Sequence, residues 1–515
     1  MSDKFYVTTP IYYVNDAPHI GHIYSTLIAD VAVRFARQMG KKTYFLTGTD
    51  EHSTKVSEAA QKNGVSTQEW ASKNAEKFTR VFKSFNYAFD DFIRTSQDRH
   101  KDEVKRRIQQ LIDSGTVYLG EYKGWYDPGQ EEYVTAAKAK ASNYLSPISG
   151  KPLVERTEDN YFFRLSHYQD KLLELIESGK LKIKPEARRN EIVARVKEGL
   201  NDIPISRISS DEWGIRIPGN EEHLVYVWID ALLNYLTAVN TDSLRQFWPP
   251  SVQVVGKDIL WFHAVVWPAM LLALQESDEN KWLQLPETIL AHGFWTSDGV
   301  KMSKSLGNFI SSADLERYCD QLCLDAVRLY LTMTGPLGGG DASFSENDLY
   351  ESYNAYLANT VGNCFGRVTA MIGKYFDGFL PGCQTHYESF SIKVNKHYKL
   401  ALIDGENLAF DKMATSAIAI FREVDSFIHQ TEPYRLIKDE ANRDKVGEIL
   451  YRALDAITLG AITLLPIMPS KMQELLSYLH LASPDCRFSD RAELVESQKV
   501  EVGKVLFPRF DTKAS

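Results

Sequence analysis

Two short stretches hold residue types suited to phosphate. Residues 301–308 read KMSKSLGN, with Lys301 and Lys304 three apart, Ser303 between them and Gly307 close behind. Ammonium groups on flexible stems meet phosphate oxygens as compact charges. The serines and glycine let such a loop fold close to a nucleotide. Residues 19–22 read HIGH. His19 and His22 stand at i and i+3 of a helix start and therefore share a face. That helix start also offers free N–H groups and the positive end of the helix dipole to an anion. Gly21 removes a side chain between the imidazoles and lets a flat base approach the backbone. Either stretch alone is ordinary, because histidines cap helices and Lys/Ser runs form surface loops. Together, each at a junction of elements, they point to a triphosphate held by imidazoles at one end and lysines at the other.

The elements around them have to bring residues 19 and 304 together. FYVTTPIYY (5–13) is β-branched and aromatic and predicts a strand. Pro18, the apolar residues Ile20, Ile23, Leu27 and Val31, and Gly40 predict a helix after it. KTYFLTGTDEH (42–52) predicts a second buried strand and a polar turn. Strand, helix and strand in this order form a βαβ unit and imply a parallel sheet. From 117 to about 225 the chain is rich in turn residues and aromatics, as an antiparallel insertion would be. The α/β pattern returns in VYVWIDALLNYL (225–236) and VQVVGKDILWFHAVVWPAMLLAL (252–274). ETILAHGFWTSDGVKMSKSLGN predicts a strand, a hairpin and the lysine loop. Beyond about 350 the period is 3.6 residues, which predicts a helical domain.

Composition bounds the function. At roughly 100–200 residues per domain, 515 residues predict three or four domains. No stretch approaches the ~20 apolar residues of a membrane span. The N-terminus lacks the pattern of a secretory leader, so a cytoplasmic protein is expected. The five cysteines have no C-x-x-C spacing, which predicts reduced thiols and no cysteine metal site. The net charge of −9 argues against indiscriminate polyanion binding, although local basic surfaces remain compatible with it. Two basic runs, 99–107 and 182–197, read either as such surfaces or as solvated helix faces.

HIGH and KMSKS are the two signatures of the class I aminoacyl-tRNA synthetases, and the sequence closely resembles that class. TTPIYYVNDAPHIGH, FLTGTDEH, YVWIDALLNYL, VGKDILWFHAVVWPAML and AHGFWTSDGVKMSKSLGN are similar to its methionine-specific family over nearly the whole chain. The resemblance implies an α/β fold: a Rossmann-like parallel-sheet catalytic domain with an inserted connective-peptide domain, followed by an α-helical anticodon-binding domain. Its boundaries would be 1–116 for the first catalytic half, 117–224 for the insertion and 225–290 for the second half. Residues 291–350 would form the KMSKS loop and stem-contact region, and 351–515 the helical domain. It implies methionine, ATP with Mg²⁺, and tRNA(Met), initiator and elongator, as substrates and partners. His19, His22, Lys301 and Lys304 would act on the phosphates, with Gly21, Gly256, Asp258 and Ser303 completing the ATP site. Asp50 would anchor the α-ammonium. Ile11, Tyr12, Tyr13, Trp228, Ala231, Tyr235, Ile259, Phe262 and His263 would surround the side chain, with the Tyr235 hydroxyl approaching sulfur. Asn363, Arg367 and Tyr434 would read the anticodon, Tyr434 standing where the family commonly has tryptophan.

The sequence departs from the family in its insertion. The expected C-x-x-C pairs read Asp127-Pro-Gly-Gln130 and Leu145-Ser-Pro-Ile148, so no structural zinc is expected. No further module follows the helical domain, which implies a monomer. Three rival readings carry their own discriminators. A synthetase for leucine, isoleucine or valine needs a larger insertion, and one for cysteine needs thiolate pairs. A small-molecule adenylyltransferase has no use for a long helical domain. A silent tRNA-binding protein has no need of intact His19, His22 and Lys304.

Overall fold

The computed structural model describes residues 3–511 apart from 128–131, 135, 147–149, 210, 298–299, 303–308, 383–386, 482–486 and 489–493. A six-stranded parallel sheet forms its centre. The strands are β1 (Lys4–Tyr13), β2 (Lys42–Asp50), β3 (Asp91–Arg94), β4 (Lys182–Lys184), β5 (Val252–Gly256) and β6 (Thr288–His292). Their order is β3-β2-β1-β5-β6-β4, every pairing parallel. The chain leaves β1 toward β2 on one side and later returns at β5 on the other. Such a reversal opens a crevice at the carboxyl ends of the strands. A register shift between Thr8 and Ile11, at Pro10, re-aims the end of β1 toward that crevice.

Helix α1 (Ile20–Gln38) follows β1 and buries most of its residues, Asp30 among them. Burial alone would raise the Asp30 pKa, but the charges of Arg34 and Arg328 hold it below the usual carboxylate value. The Arg328 side chain is fully buried on a helix at Leu324–Thr334. It reaches Asp30 Oδ2 at 2.6 Å and the carbonyls of Phe85, Pro466 and Ile467 at 3.1, 3.2 and 2.8 Å. One ion pair thus ties α1 to both the sheet region and the helical region.

The expected insertion contains an antiparallel pair, Val117–Asp127 with Val154–Phe163. It does not stand wholly apart from the sheet, because β4 lies within 117–224 and forms the sheet's edge. The two basic runs resolve differently. Residues 99–107 belong to the helix Asp98–Asp113, where Arg107 is buried against Glu103 at 2.7 Å and His100 is buried as well. Residues 182–197 are β4 and a helix at Glu186–Lys197 with surface pairs such as Arg188–Glu191.

From 346 onward helices dominate, including Asn363–Phe376, Phe410–Thr431 and Arg443–Leu464. The described stretch up to 511 packs back on them: Phe510 stacks on Tyr350 at 4.6 Å, and its N–H donates to Asn354. No helix among the described residues is long and apolar enough to cross a membrane.

Candidate active site

A cavity of about 630 Å³ opens at the carboxyl ends of β1, β2 and β5. Its lining includes Ile11, Tyr12, Tyr13, His19, Gly21, His22, Asp50, Trp228, Ala231, Tyr235, Gly256, Asp258, Ile259 and His263. All fourteen come from the residues singled out above, gathered from four distant parts of the chain.

At one end of the cavity the helix start is built by its own histidines. His19 is the N-cap of α1 and His22 its third residue. His19 Nδ1 accepts from the Gly21 N–H at 3.0 Å, and His22 Nδ1 accepts from the His19 N–H at 3.3 Å. This reciprocal cap satisfies two of the donors a helix start leaves open. The rings lie 3.8 Å apart. Burial lowers the His19 pKa to about 4 and holds His22 well below the ordinary imidazole range, with the His19 charge adding to the second shift. Both rings are therefore neutral at pH 7. With Nδ1 of each accepting a backbone hydrogen, the single ring proton sits on Nε2, where it can donate to an anion. Gly21 is required here for a local reason too, since a Cβ would come 2.9 Å from the His19 ring.

At the other end lies Asp50, the last residue of β2. Its Oδ1 is buried without a hydrogen-bond partner. Burial and the nearby Asp230 charge push its carboxyl well above the usual range. A buried carboxyl with one unpartnered oxygen at a cavity wall is complementary to a cation. Trp228 forms a flat wall, stacked on Phe262 with centroids 4.2 Å apart and rings within 3° of parallel. Phe262 opens a π-helical turn, Phe262–Val266, that carries His263. His263 Nδ1 faces the Ile259 carbonyl at 3.0 Å, so it holds the ring proton. Burial lowers the His263 pKa to about 4, so the ring is neutral and Nε2 accepts from the Tyr235 hydroxyl at 2.7 Å. The one proton of Tyr235 is thereby committed. Gly256 leaves room for Asp258, whose Oδ1 a Cβ there would meet at 2.6 Å.

The second motif approaches α1 through its flanks. Lys301 ends the strand Val300–Lys301, which pairs antiparallel with Trp295–Ser297. The Lys301 side chain, Ser303 and Lys304 lie outside the described residues. On the far flank the Ile20 N–H donates to the Ile310 carbonyl at 3.2 Å and Ser312 N–H to Pro18 O at 3.2 Å. His19 bridges Ser311, and the Phe309 ring sits 5.2 Å from the His19 ring and lines the cavity.

Sequence reasoning missed several participants. His292, at the end of β6, lines the cavity and bonds Ser25 Oγ at 2.7 Å, while its Nδ1 donates to Gly293 O at 2.7 Å. Behind Asp50, Asp230 accepts from His52 Nδ1 and His100 Nε2, both at 2.7 Å. Burial alone would raise the Asp230 pKa, but His52 and His100 hold it far below the usual carboxylate range. Only the residue types in TDEH and WIDA could have signalled this network, since its members stand 178 and 130 positions apart.

In the helical region Asn363 and Arg367 are exposed on one helix face, and Arg367 pairs with Asp425 at 3.2 Å. Tyr434 is exposed just past Glu432, which ends the preceding helix.

A nucleotide-sized crevice at a parallel-sheet switch point, with HIGH at its mouth, defines a class I aminoacyl-tRNA synthetase. Residues 5–142 and 136–369 match the family model described as tRNA synthetases class I (M). A curated relative named methionine--tRNA ligase, from Streptomyces coelicolor, is 40% identical and covers 99% of this chain and 97% of its own. Another of that name, from Rickettsia felis, is 38% identical and covers 99% of both. The solved Mycobacterium tuberculosis methionyl-tRNA synthetase in complex with methionyl-adenylate is 32% identical, with a TM-score of 0.89 over 99% of this chain and 100% of that one. The chain belongs to the methionine-type class I tRNA synthetases and is an enzyme, a ligase.

Proposed function

We infer that this chain activates methionine with ATP and transfers it to the 3′ end of tRNA(Met), initiator and elongator. One observation carries the reading. A single cavity offers imidazole donors at one end and, at the other, a buried carboxyl with one unpartnered oxygen beside an aromatic wall. That is the charge pattern of a nucleotide phosphate meeting an amino acid.

The first step is an in-line displacement. A methionine carboxylate oxygen bonds the α-phosphorus of ATP, the bond to the bridging oxygen breaks, and pyrophosphate leaves. No protein nucleophile is needed, so the residues act by position and charge. His19 and His22 donate Nε2–H to phosphate oxygens. Lys304, with Lys301 and Ser303, neutralises the departing pyrophosphate from the loop. Gly21 lies under the adenine, with Gly256 and Asp258 toward the ribose. In the second step a ribose hydroxyl of tRNA takes the methionyl group and AMP leaves. ATP chemistry of this kind uses Mg²⁺ carried on the phosphates. Among the described residues no cluster of three ligating side chains would hold that ion by itself.

Asp50 anchors the ammonium, and Ile11, Tyr12, Tyr13, Ala231 and Ile259 enclose the side chain between Trp228 and Tyr235. With its proton given to His263, Tyr235 presents its ring and oxygen lone pairs to the thioether instead of a donor. Discrimination then rests on shape and on sulfur–aromatic contacts worth about 0.3–1.5 kcal/mol each. The insertion works without zinc, since all five cysteines lie outside 117–224. Asn363, Arg367 and Tyr434 read the CAU anticodon by edge hydrogen bonds and stacking. The enzyme acts as a cytoplasmic monomer.

ATP–pyrophosphate exchange with each of the twenty amino acids tests this. Exchange with methionine alone is expected. Exchange driven by leucine, or by no amino acid, would overturn the reading.

A further inference from the structure

Helix α1 is 19 residues long and spans about 28 Å, with the HIGH site at its start. A second cavity, of about 490 Å³, lies at its other end, against the turn 465–469 of the helical region. Five cations line it: Arg34, Arg37, Lys41, Lys42 and Arg487. No carboxylate is among its described lining residues. In a chain of net charge −9 this is a concentrated reversal of sign.

Compensation of the helix dipole accounts for Arg37, in the last turn. It does not account for Lys41 and Lys42, which lie past the helix, or for Arg487, which arrives from a different part of the chain beside Gly40. The two arginines of α1 are already braced. Arg34 Nε holds Asp30 at 2.8 Å, and its Nη2 holds Asn86 O at 2.5 Å. Arg37 Nε holds Thr43 at 2.8 Å, and its Nη2 reaches Asp90 at 3.3 Å. The bonds among described residues leave Nη1 of each fork uncommitted, in fixed position. Lys41, Lys42 and Arg487 have no ion-pair partner among the described residues.

A second feature points to a ligand. Gln38 lines the same cavity and is 9% exposed. Its Nε2 donates to the Ile462 carbonyl at 3.1 Å, which fixes the amide, and its Oε1 is buried with no partner. A buried acceptor without a donor is unfavourable unless something supplies the hydrogen. A donor carried by the occupant would satisfy that oxygen.

We propose that this cavity is a second binding site, for a phosphate ester that bears a hydroxyl, its phosphate on the basic residues and its hydroxyl on Gln38 Oε1. Two sources share this chemistry, a free sugar phosphate and the ribose-phosphate backbone of RNA. The site stands apart from the methionine–ATP cavity and does not depend on it.

The test uses the full chain with its active site filled by a non-hydrolysable methionyl-adenylate analogue, titrated calorimetrically with ribose 5-phosphate. Saturable binding is expected, weakened about tenfold or more in Lys42→Ala/Arg487→Ala, since each charge-assisted contact is worth over a factor of ten. Pyrophosphate exchange by that double variant stays within about twofold of the parent, because neither residue touches the active cavity. Inorganic phosphate binds more weakly than ribose 5-phosphate, a preference that Gln38→Met abolishes. If the double variant also weakens tRNA binding, and ribose 5-phosphate competes with tRNA, the phosphate belongs to RNA; if tRNA binding is unchanged, it belongs to a free metabolite. No saturable binding by the parent, or binding indifferent to the double variant, overturns the proposal.

Discussion

The sheet region and the helical region bury different things. Around the sheet the interior holds Asp30, Asp50, Glu51, His52, His100, Asp230, His263 and His292. From 351 onward the buried polar residues among those described are Thr369, Thr458 and Thr463. Each of these threonines returns its hydroxyl to the carbonyl four residues back, at 2.7–2.9 Å, and asks nothing of a ligand. The helical region keeps its candidate readers, Asn363, Arg367 and Tyr434, outside an apolar core. The sheet region places its candidate chemistry inside, where low polarity strengthens every charge interaction. Function in the first region costs stability, and function in the second is nearly free of it.

The sharpest way to break this contrast is Asp50→Asn. Losing a buried charge partner for the ammonium lowers kcat/KM for methionine in pyrophosphate exchange by about 10²–10³-fold. The same variant melts at a higher temperature, because a carboxyl that burial and Asp230 make costly to ionise is gone. A lower melting temperature would make Asp50 structural. Lys304→Ala slows adenylate formation by about 10²–10³-fold while methionine binding, measured by calorimetry, is unchanged. Asp230→Asn costs about 3 kcal/mol of stability in a denaturant titration, because two buried imidazoles lose their anion. The Asp230 carboxyl is held below the usual range, so its contribution is complete above that range and fades as acid protonates it.

On the helical side, Arg367→Ala weakens tRNA charging about tenfold and leaves pyrophosphate exchange and stability unchanged. Loss of exchange in that variant would erase the distinction between the regions. The smallest effect is a pH profile. Burial lowers the His19 pKa to about 4, so exchange shows no step at the ordinary histidine value of about 6.5 and declines only in acid. A step near neutrality that His19→Asn or His22→Asn removes would show that the rings charge in the working enzyme.

The sequence carried the cavity well because its residues sit in contiguous motifs at the ends of strongly patterned strands. TTPIYY, TGTDEH and HIGH place themselves once the βαβ unit is recognised. What escaped depends on partners far apart in the chain. The triplet KIK of β4 is too short for its alternation to declare a strand, and its lysines made it look like part of a basic run. Arg107 belongs to a run that read as a basic surface or a solvated helix face, yet it is buried because Glu103 one turn earlier meets it. Gln38 gave no signal, since only packing of residues 462–469 against α1 makes its amide a buried group. The bond from the Tyr235 hydroxyl to His263, 28 positions on, gave no sequence signal either.

In the proposed mechanism His19 and His22 hold phosphate at one end of the cavity while Asp50 holds an ammonium at the other. A crystal structure of the enzyme with methionine and a non-hydrolysable ATP analogue measures it directly. Phosphate oxygens are expected within hydrogen-bond distance of both Nε2 atoms, with the methionine ammonium on Asp50. A nucleotide whose phosphates lie away from these imidazoles, or a methionine that leaves Asp50 unpartnered, would contradict it.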